Sequence, residues 1–90
     1  MYVYIFECNG VYKVGRSKDP ERRKKQLQTG NSNDYITRRM YKTTNSAKLE
    51  TLLHNYLVHS RINREWFSIT PADWIYLDAI VETSWDLTTL

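Results

Sequence analysis

The sequence predicts an α+β domain: a small, mostly antiparallel sheet of three to four strands, flanked by about three helices. Two observations lead to this class. Asn9-Gly10 lies between two stretches rich in β-branched and aromatic residues, which is the strongest short-range signal for a β-hairpin. Helix-start signals then occur three times, with strand-like stretches between them. The resulting element order is ββαβαβα.

The first two strands are Tyr2–Cys8 and Val11–Arg16, joined by the Asn-Gly turn. A two-residue loop fixes the register of a hairpin, so we expect Tyr4 to lie opposite Gly15. Side chains alternate across a strand, which places Tyr4 and Lys13 on the same face as diagonal neighbours. We expect Gly15 to leave room on that face for a ligand backbone or a water molecule.

Capping residues mark the first two helices. Asp19-Pro20 supplies an N-cap and a first-turn proline, and Gly30 is expected to end this helix. Asn45 or Ser46 caps a second helix that runs to about His59. The apolar stripe of the second helix consists of Leu49, Leu52, Leu53, Tyr56 and Leu57.

The remaining elements are two strands and a third helix. We expect Tyr35–Lys42 to form the third strand and Glu65–Ile69 to form a short fourth one. Thr70-Pro71-Ala72-Asp73 resembles a helix start with a capping-box acid. The apolar face of this third helix is formed by Trp74, Leu77, Ile80 and Val81.

Length and composition bound the class of protein. The 90 residues, 41% hydrophobic and 26% charged, are typical of a globular domain, so we expect residues 1–90 to form a single domain. No apolar run approaches the ~18 residues that a membrane span needs, and the N-terminus lacks a signal-peptide pattern. Cys8, the single cysteine, forms neither an internal disulfide nor a zinc cluster. These features predict a cytoplasmic protein without membrane contact.

Charge is unevenly distributed along the chain. Residues 1–45 contain ten Lys and Arg against four acidic residues, a net charge of +6, whereas residues 46–90 carry −3. A basic half favours a polyanionic partner, most often nucleic acid, although a solvated charged surface explains the asymmetry equally well. The candidate contacts to a nucleic-acid backbone are Arg16, Lys18, Arg22, Lys24, Lys25, Arg38 and Arg39.

The ordered set of Tyr4, Lys13, Gly15, Arg23 and Glu50 resembles the GIY-YIG nuclease superfamily. That family has two short strands carrying the two tripeptides, then a helix with an arginine and a later helix with a glutamate. Tyr-Val-Tyr, ending at Tyr4, stands in the place of the first tripeptide. Lys-Val-Gly, beginning at Lys13, stands in the place of the second. Lysine instead of the second tyrosine is similar to a branch that includes some restriction enzymes and many phage and viral members.

The resemblance extends from Tyr2 to Phe67 and has two departures. The first tripeptide lacks its glycine, and Leu27 stands one turn after the arginine, where the family has a histidine. The Arg-Glu-Trp-Phe segment that ends at Phe67 resembles a short strand that follows the glutamate helix in this branch. Within it, Glu65 lines the site in one interpretation and is purely structural in the other. Asn63 is a further candidate polar contact.

This resemblance implies a DNA endonuclease that uses one Mg²⁺ or Mn²⁺ ion and leaves 5′-phosphate and 3′-hydroxyl ends. Glu50 would be the metal ligand, since a carboxylate is a hard oxygen ligand. Arg23 would clamp the scissile phosphate. Tyr4 or Lys13 would orient or activate the attacking water, and a nearby cation such as Lys13 would favour the phenolate of Tyr4. The residues themselves leave the choice between Tyr4 and Lys13 open.

Each of these residues also has an ordinary structural interpretation. Tyr4 fits a core aromatic, Lys13 fits an exposed strand lysine, and Arg23 and Glu50 fit solvated helix faces. His54 lies one turn after Glu50 on the same helical face, where it either supports the metal site or packs the domain. The residues expected to support the site without reacting are His54 and Gly15.

The expected partner is DNA, bound with low intrinsic sequence specificity, and a second copy or a recruiting protein would supply selectivity. Compact domains of this kind are typical of phages or mobile elements. An inert DNA-binding module of the same fold is the main alternative, because the first tripeptide is altered and Leu27 replaces the family histidine. The presence of Tyr4, Lys13, Arg23 and Glu50 together argues against it. A small regulatory protein that binds another protein is the third interpretation.

Overall fold

The computed structural model describes residues 1–29 and 33–83 of the chain. Its centre is a five-stranded sheet in which every paired neighbour is antiparallel. The order across the sheet is β3-β1-β2-β5-β4, so β1 and β2 are surrounded by other strands. The strands are β1 (Tyr2–Cys8), β2 (Val11–Ser17), β3 (Ile36–Lys42), β4 (Arg61–Asn63) and β5 (Trp66–Phe67).

Three helices accompany the sheet, which confirms the α+β class. They are α1 (Pro20–Gln28), α2 (Ser46–Tyr56) and α3 (Pro71–Thr83), and a 3₁₀ turn covers Val58–Ser60. None of the helices in the described part of the chain combines the length and the apolar character that crossing a membrane requires.

The predicted hairpin register is confirmed. Tyr4 pairs with Gly15 across β1 and β2, and Phe6 pairs with Lys13. Asn9 and Gly10 at the turn have φ angles of 53° and 79°. Positive φ at both central positions is what a type I′ turn requires, and it matches the right-handed twist of the two strands.

Helix caps are also confirmed where the sequence placed them. The Asp19 side chain accepts a hydrogen bond from the Arg22 N–H, and the Asn45 side chain accepts one from the Lys48 N–H. Thr70 and Asp73 form a reciprocal capping box before α3, with hydrogen bonds of 3.0 and 3.2 Å. The predicted end of α1 at Gly30 lies outside the described residues.

The prediction differs from the structure between α2 and α3. The second helix ends at Tyr56 instead of near His59, because the chain tightens into a 3₁₀ turn in which the Ser60 N–H donates to the Leu57 carbonyl. Arg61–Asn63 then forms a fifth strand that the sequence did not predict. All three of its residues are exposed, so they lack the apolar alternation that marks a strand.

Both faces of β1 are buried. Val3 and Ile5 face a core completed by leucines of α2 and by Leu77 of α3. On the opposite face, the Tyr4 and Phe6 rings stack with centroids 4.0 Å apart. Helix α1 lies on this second side, since its arginine at position 23 interacts with the Tyr4 hydroxyl. The central strand is therefore covered on both sides, as its nearly continuous apolar sequence requires.

Candidate functional site

The candidate site lies where β5 stops along β2 and leaves the edge of β2 open. The Val14 N–H donates to the Glu65 carbonyl at 3.0 Å, and β5 provides no further partner beyond this bond. In a strand, the N–H and C=O of one residue point to the same side. The Val14 carbonyl therefore points to the open edge, where His54 Nε2 of α2 lies 2.9 Å away.

This open edge lets side chains from both sides of the sheet approach one another. Tyr4 and Lys13 share one face of the hairpin, whereas Glu50 belongs to α2, which packs on the other face. Tyr4 and Glu50 interact electrostatically, and so do Lys13 and Glu50. Arg23 of α1 lies close enough to the Tyr4 hydroxyl to lower its pKa. The structure thus brings together all four residues that the resemblance singled out.

Tyr4 is almost fully buried, with 2% of its surface exposed. Burial raises the pKa of its hydroxyl above the ordinary value of 10.0, and the hydrogen bond and charge of Arg23 oppose that effect. The carboxylates of Glu65 and Glu50 raise the pKa of Tyr4 further. The cation that favours the phenolate form is therefore Arg23, and not Lys13 as the sequence suggested.

The expected free space at Gly15 is occupied, which corrects that prediction. A Cβ atom added to Gly15 would lie 2.7 Å from Cζ of Tyr4, and still closer to the Tyr4 hydroxyl. The absence of a side chain at position 15 admits the tyrosine ring and leaves no room there for a ligand backbone or a water molecule. Gly15 supports the site by setting the position of Tyr4.

Glu50 is only partly accessible, with 18% of its side chain exposed. Burial is the largest cause that raises the pKa of its carboxyl group, and Glu65 raises the pKa further. His54, Arg16 and Lys13 act in the opposite direction. Arg16 Nε lies 3.7 Å from Glu50 Oε1. A largely buried carboxylate that pairs with Arg16 and lies near a second acid is not a solvated helix residue.

Lys13 is likewise not an exposed strand lysine, because only 12% of its side chain is accessible. Its Nζ lies 3.1 Å from Glu65 Oε2 and 5.4 Å from the centre of the Trp66 ring. Of the two interpretations of Glu65, the structure favours the one that places it at the site. Glu65 reaches the site because Trp66 pairs with Lys13 across β2 and β5. No local sequence pattern predicts that pairing.

The candidate nucleic-acid contacts divide into two groups. Arg16 lies at the site, and the exposed Lys18, Arg22 and Lys25 lie on or just before α1. Lys24 is half-buried, pairing with Glu21 at 3.2 Å and donating to Thr37 at 3.0 Å.

Arg38 and Arg39 are engaged elsewhere. Arg38 pairs with Glu7 at 2.7 Å, and Arg39 donates two hydrogen bonds of 3.0 Å to Asp78 of α3. The Arg39 guanidinium also lies 4.6 Å from the centre of the Trp74 ring. The Arg39 contacts tie β3 to α3, whereas the Arg38 pair joins β3 to β1. Both arginines lie on the side of the sheet opposite Lys13, so the structure does not bring them into the site.

The carboxylates of the site limit how a metal ion could be held. Within residues 1–29 and 33–83, no group of three or more His, Cys, Asp or Glu side chains is arranged around a common point for a metal ion. Glu50 and its neighbour Glu65 are the available hard ligands. This donor set fits Mg²⁺ or Mn²⁺, which are commonly bound by one or two carboxylates and complete their shell with water and phosphate oxygens.

Residues 1–82 match the model of the T5orf172 domain family. The chain belongs to the T5orf172 domain family. This family is of a nuclease-associated type. The matched region of this T5orf172 domain includes every strand and all of the site residues. The comparison with curated proteins found no match, and the comparison with solved structures found none either.

Proposed function

We propose that this T5orf172 domain is a divalent-metal-dependent endonuclease that hydrolyses DNA by GIY-YIG-type chemistry. The observation that carries the proposal is the meeting of Tyr4, Lys13, Arg23 and Glu50 at the open edge of β2. These residues come from β1, β2, α1 and α2, so their proximity depends on the whole fold. A domain that only bound DNA would gain little from a half-buried acid facing a phosphate site.

Each residue has a distinct part in the proposed reaction. A water molecule attacks phosphorus, the bond to the 3′ oxygen breaks, and the products carry a 5′-phosphate and a 3′-hydroxyl. Arg23 binds the phosphoryl oxygens with its fork of donors, and Lys13 places a second positive charge beside them. Glu50 would hold the divalent ion, and that ion would supply positive charge against the negative charge that develops in the reaction. The leaving oxygen takes a proton from bulk water.

Tyr4 orients the attacking water and, as phenolate, accepts its proton. Because burial raises the pKa of Tyr4, the phenolate is a minor form of this side chain at neutral pH. The proposed reaction is therefore slow at neutral pH and accelerates as the pH rises. Contacts between basic side chains and the DNA backbone do not depend on the base sequence, which fits the low sequence specificity that we propose.

A plasmid cleavage assay tests this proposal. Supercoiled DNA is incubated with the full chain and Mg²⁺ or Mn²⁺, and wild type is compared with Glu50→Ala. The matched control is Glu82→Ala, which removes an exposed acid from α3. Metal-dependent nicking by wild type and Glu82→Ala, but not by Glu50→Ala, is the expected result.

An inert DNA-binding module is the second candidate function. Leu27, half-buried on α1, stands where the resemblance expects a histidine, so one group of the family's reaction is missing. The same assay separates the two candidates. DNA binding by wild type without cleavage, with either metal and at any pH between about 7 and 9, would establish the binding module.

A further inference from the structure

The hairpin formed by β4 and β5 has an unusual residue at its turn. Asn63 pairs with Trp66, which leaves Arg64 and Glu65 as the two turn residues. Arg64 has a φ of 47°. This left-handed conformation suits glycine, and asparagine tolerates it, whereas an arginine side chain makes it costly. An outlier of this kind is a reason to look for a function of the side chain.

The turn is fixed directly against the candidate site. Glu65, the residue after Arg64, accepts the Val14 N–H with its carbonyl and pairs with Lys13 through its carboxylate. Position 64 is therefore one Cα–Cα step, about 3.8 Å, from a residue of the site. The site lies between α1, which supplies Arg23, and this hairpin, which supplies Glu65.

The charge on the hairpin is available to a ligand. Arg61 and Arg64 are both exposed, and neither has an acidic partner within residues 1–29 and 33–83. Arg61 lies over the Phe67 ring at 5.5 Å, which holds its stem against the sheet. Arg38 and Arg39, by contrast, are paired with carboxylates.

We propose that the β4–β5 hairpin is a second nucleic-acid contact and that Arg64 at its turn binds a backbone phosphate next to the scissile one. A DNA strand that lies across the open edge of β2 passes both α1 and the hairpin. Arg61 and Arg64 of the hairpin then bind the DNA strand on the side away from α1. Neither arginine is paired with an acid in the described part of the chain. The inference rests on the proposed nucleic-acid function and assigns its second binding surface.

Binding of a fluorescent DNA duplex, measured by anisotropy without divalent metal, tests the proposal. Arg64→Gly removes the charge and relieves the left-handed strain at once. We expect about eightfold weaker binding at about 0.1 M salt and a salt slope smaller by about 0.9, because one phosphate contact is lost. The Tm should stay unchanged or rise by a few degrees, since glycine suits this φ angle.

Three further variants isolate the charge. Arg64→Gln keeps the strained backbone and loses the charge, so it should bind as weakly as Arg64→Gly, whereas Arg64→Lys should retain most of the affinity. Asn9→Gly is the matched control, because Asn9 is the other non-glycine residue at positive φ in the described ranges and lies in the β1–β2 turn. It should leave the affinity unchanged.

The outcomes distinguish this inference from the proposed function. If wild type binds and cuts DNA while Arg64→Gly and Arg64→Gln bind as wild type does, the inference is overturned and the nuclease proposal stands. If Arg64→Gln binds normally and only Arg64→Gly fails, with a lowered Tm, the arginine is structural and the inference is again overturned. If wild type binds no DNA, both proposals fail.

Discussion

The contact between Gly15 and Tyr4 makes a sharp prediction about stability. Gly15→Ala would place a methyl group 2.7 Å from Tyr4 Cζ, in space that the ring already fills. Gly15 has no positive φ angle, so the substitution adds no backbone strain of its own. Any loss of stability must therefore come from the overlap with the tyrosine ring.

The size of the effect follows from two opposing contributions. Overlap in a closely packed interior costs about 1–3 kcal/mol. Replacing glycine by alanine in a strand otherwise gains roughly 0.5–1 kcal/mol, because the unfolded chain loses freedom. We expect a net loss of about 1–2 kcal/mol in the free energy of unfolding, which lowers the Tm of a domain this size by roughly 5–15 °C.

A double-mutant cycle measured by urea unfolding identifies the cause. Tyr4→Leu is itself destabilising because a buried aromatic is lost, but in that background Gly15→Ala should be neutral or stabilising. The coupling free energy between the two positions is then about 1–3 kcal/mol. Gly10→Ala is the control, since its φ of 79° makes alanine costly while no atom lies within 4 Å of the added Cβ. The cost of Gly10→Ala should be the same in the wild-type and the Tyr4→Leu backgrounds.

Additivity would refute the reasoning. If Gly15→Ala costs the same with and without the tyrosine ring, within about 0.5 kcal/mol, then the ring does not fill the space beside Gly15. Gly15 would then not be the residue that positions Tyr4. The face of the hairpin that carries Tyr4 and Lys13 would have free space beside Gly15, as the sequence predicted.

Three further predictions concern Glu50, Tyr4 and Asp78. Glu50→Gln should lower the cleavage rate by about 100-fold or more, because it removes the proposed metal ligand. The Tm should stay unchanged or rise slightly, because burial raises the pKa of Glu50 and its charged form destabilises the fold near neutral pH. Nicking assays and thermal unfolding check this, and a lowered Tm would contradict it. The logarithm of the cleavage rate should rise by about one per pH unit between about pH 7 and 9, since the pKa of Tyr4 lies above 10.0, and Tyr4→Phe should abolish most of the rate. A flat profile would exclude Tyr4 as the base. The hydrogen bonds with Arg39 are the main cause that lowers the pKa of Asp78. The stability that Asp78 contributes is therefore present above its ordinary pKa of 3.8 and is lost as the pH falls through the lowered pKa. Asp78→Asn should therefore cost at most about 1 kcal/mol at pH 7, a small value because the pair is partly exposed, and should leave cleavage unchanged. Urea unfolding as a function of pH, together with the nicking assay, measures both effects.

Local sequence rules predicted the parts of the site that depend on neighbouring residues. Asn9-Gly10 set the hairpin register, and alternation along the strands put Tyr4 and Lys13 on one face. Capping residues located the starts of α1 and α2, which carry Arg23 and Glu50. Turn chemistry, side-chain alternation and capping act over a few residues, so they can be recognised in a single sequence.

Contacts between distant segments were decided only by the tertiary structure. Glu65 reaches Lys13 because β5 pairs with β2, although the two residues are far apart in the chain. The space beside Gly15 depends on the orientation of the Tyr4 ring. Arg39 is bound by Asp78 of α3 and is therefore not available to a ligand. Pairing partners and side-chain directions result from packing the whole core at once, and no local pattern encodes them. The sequence by itself thus predicted the candidate residues of the site, and the packing of strands and helices around β2 decided which of them lie close together.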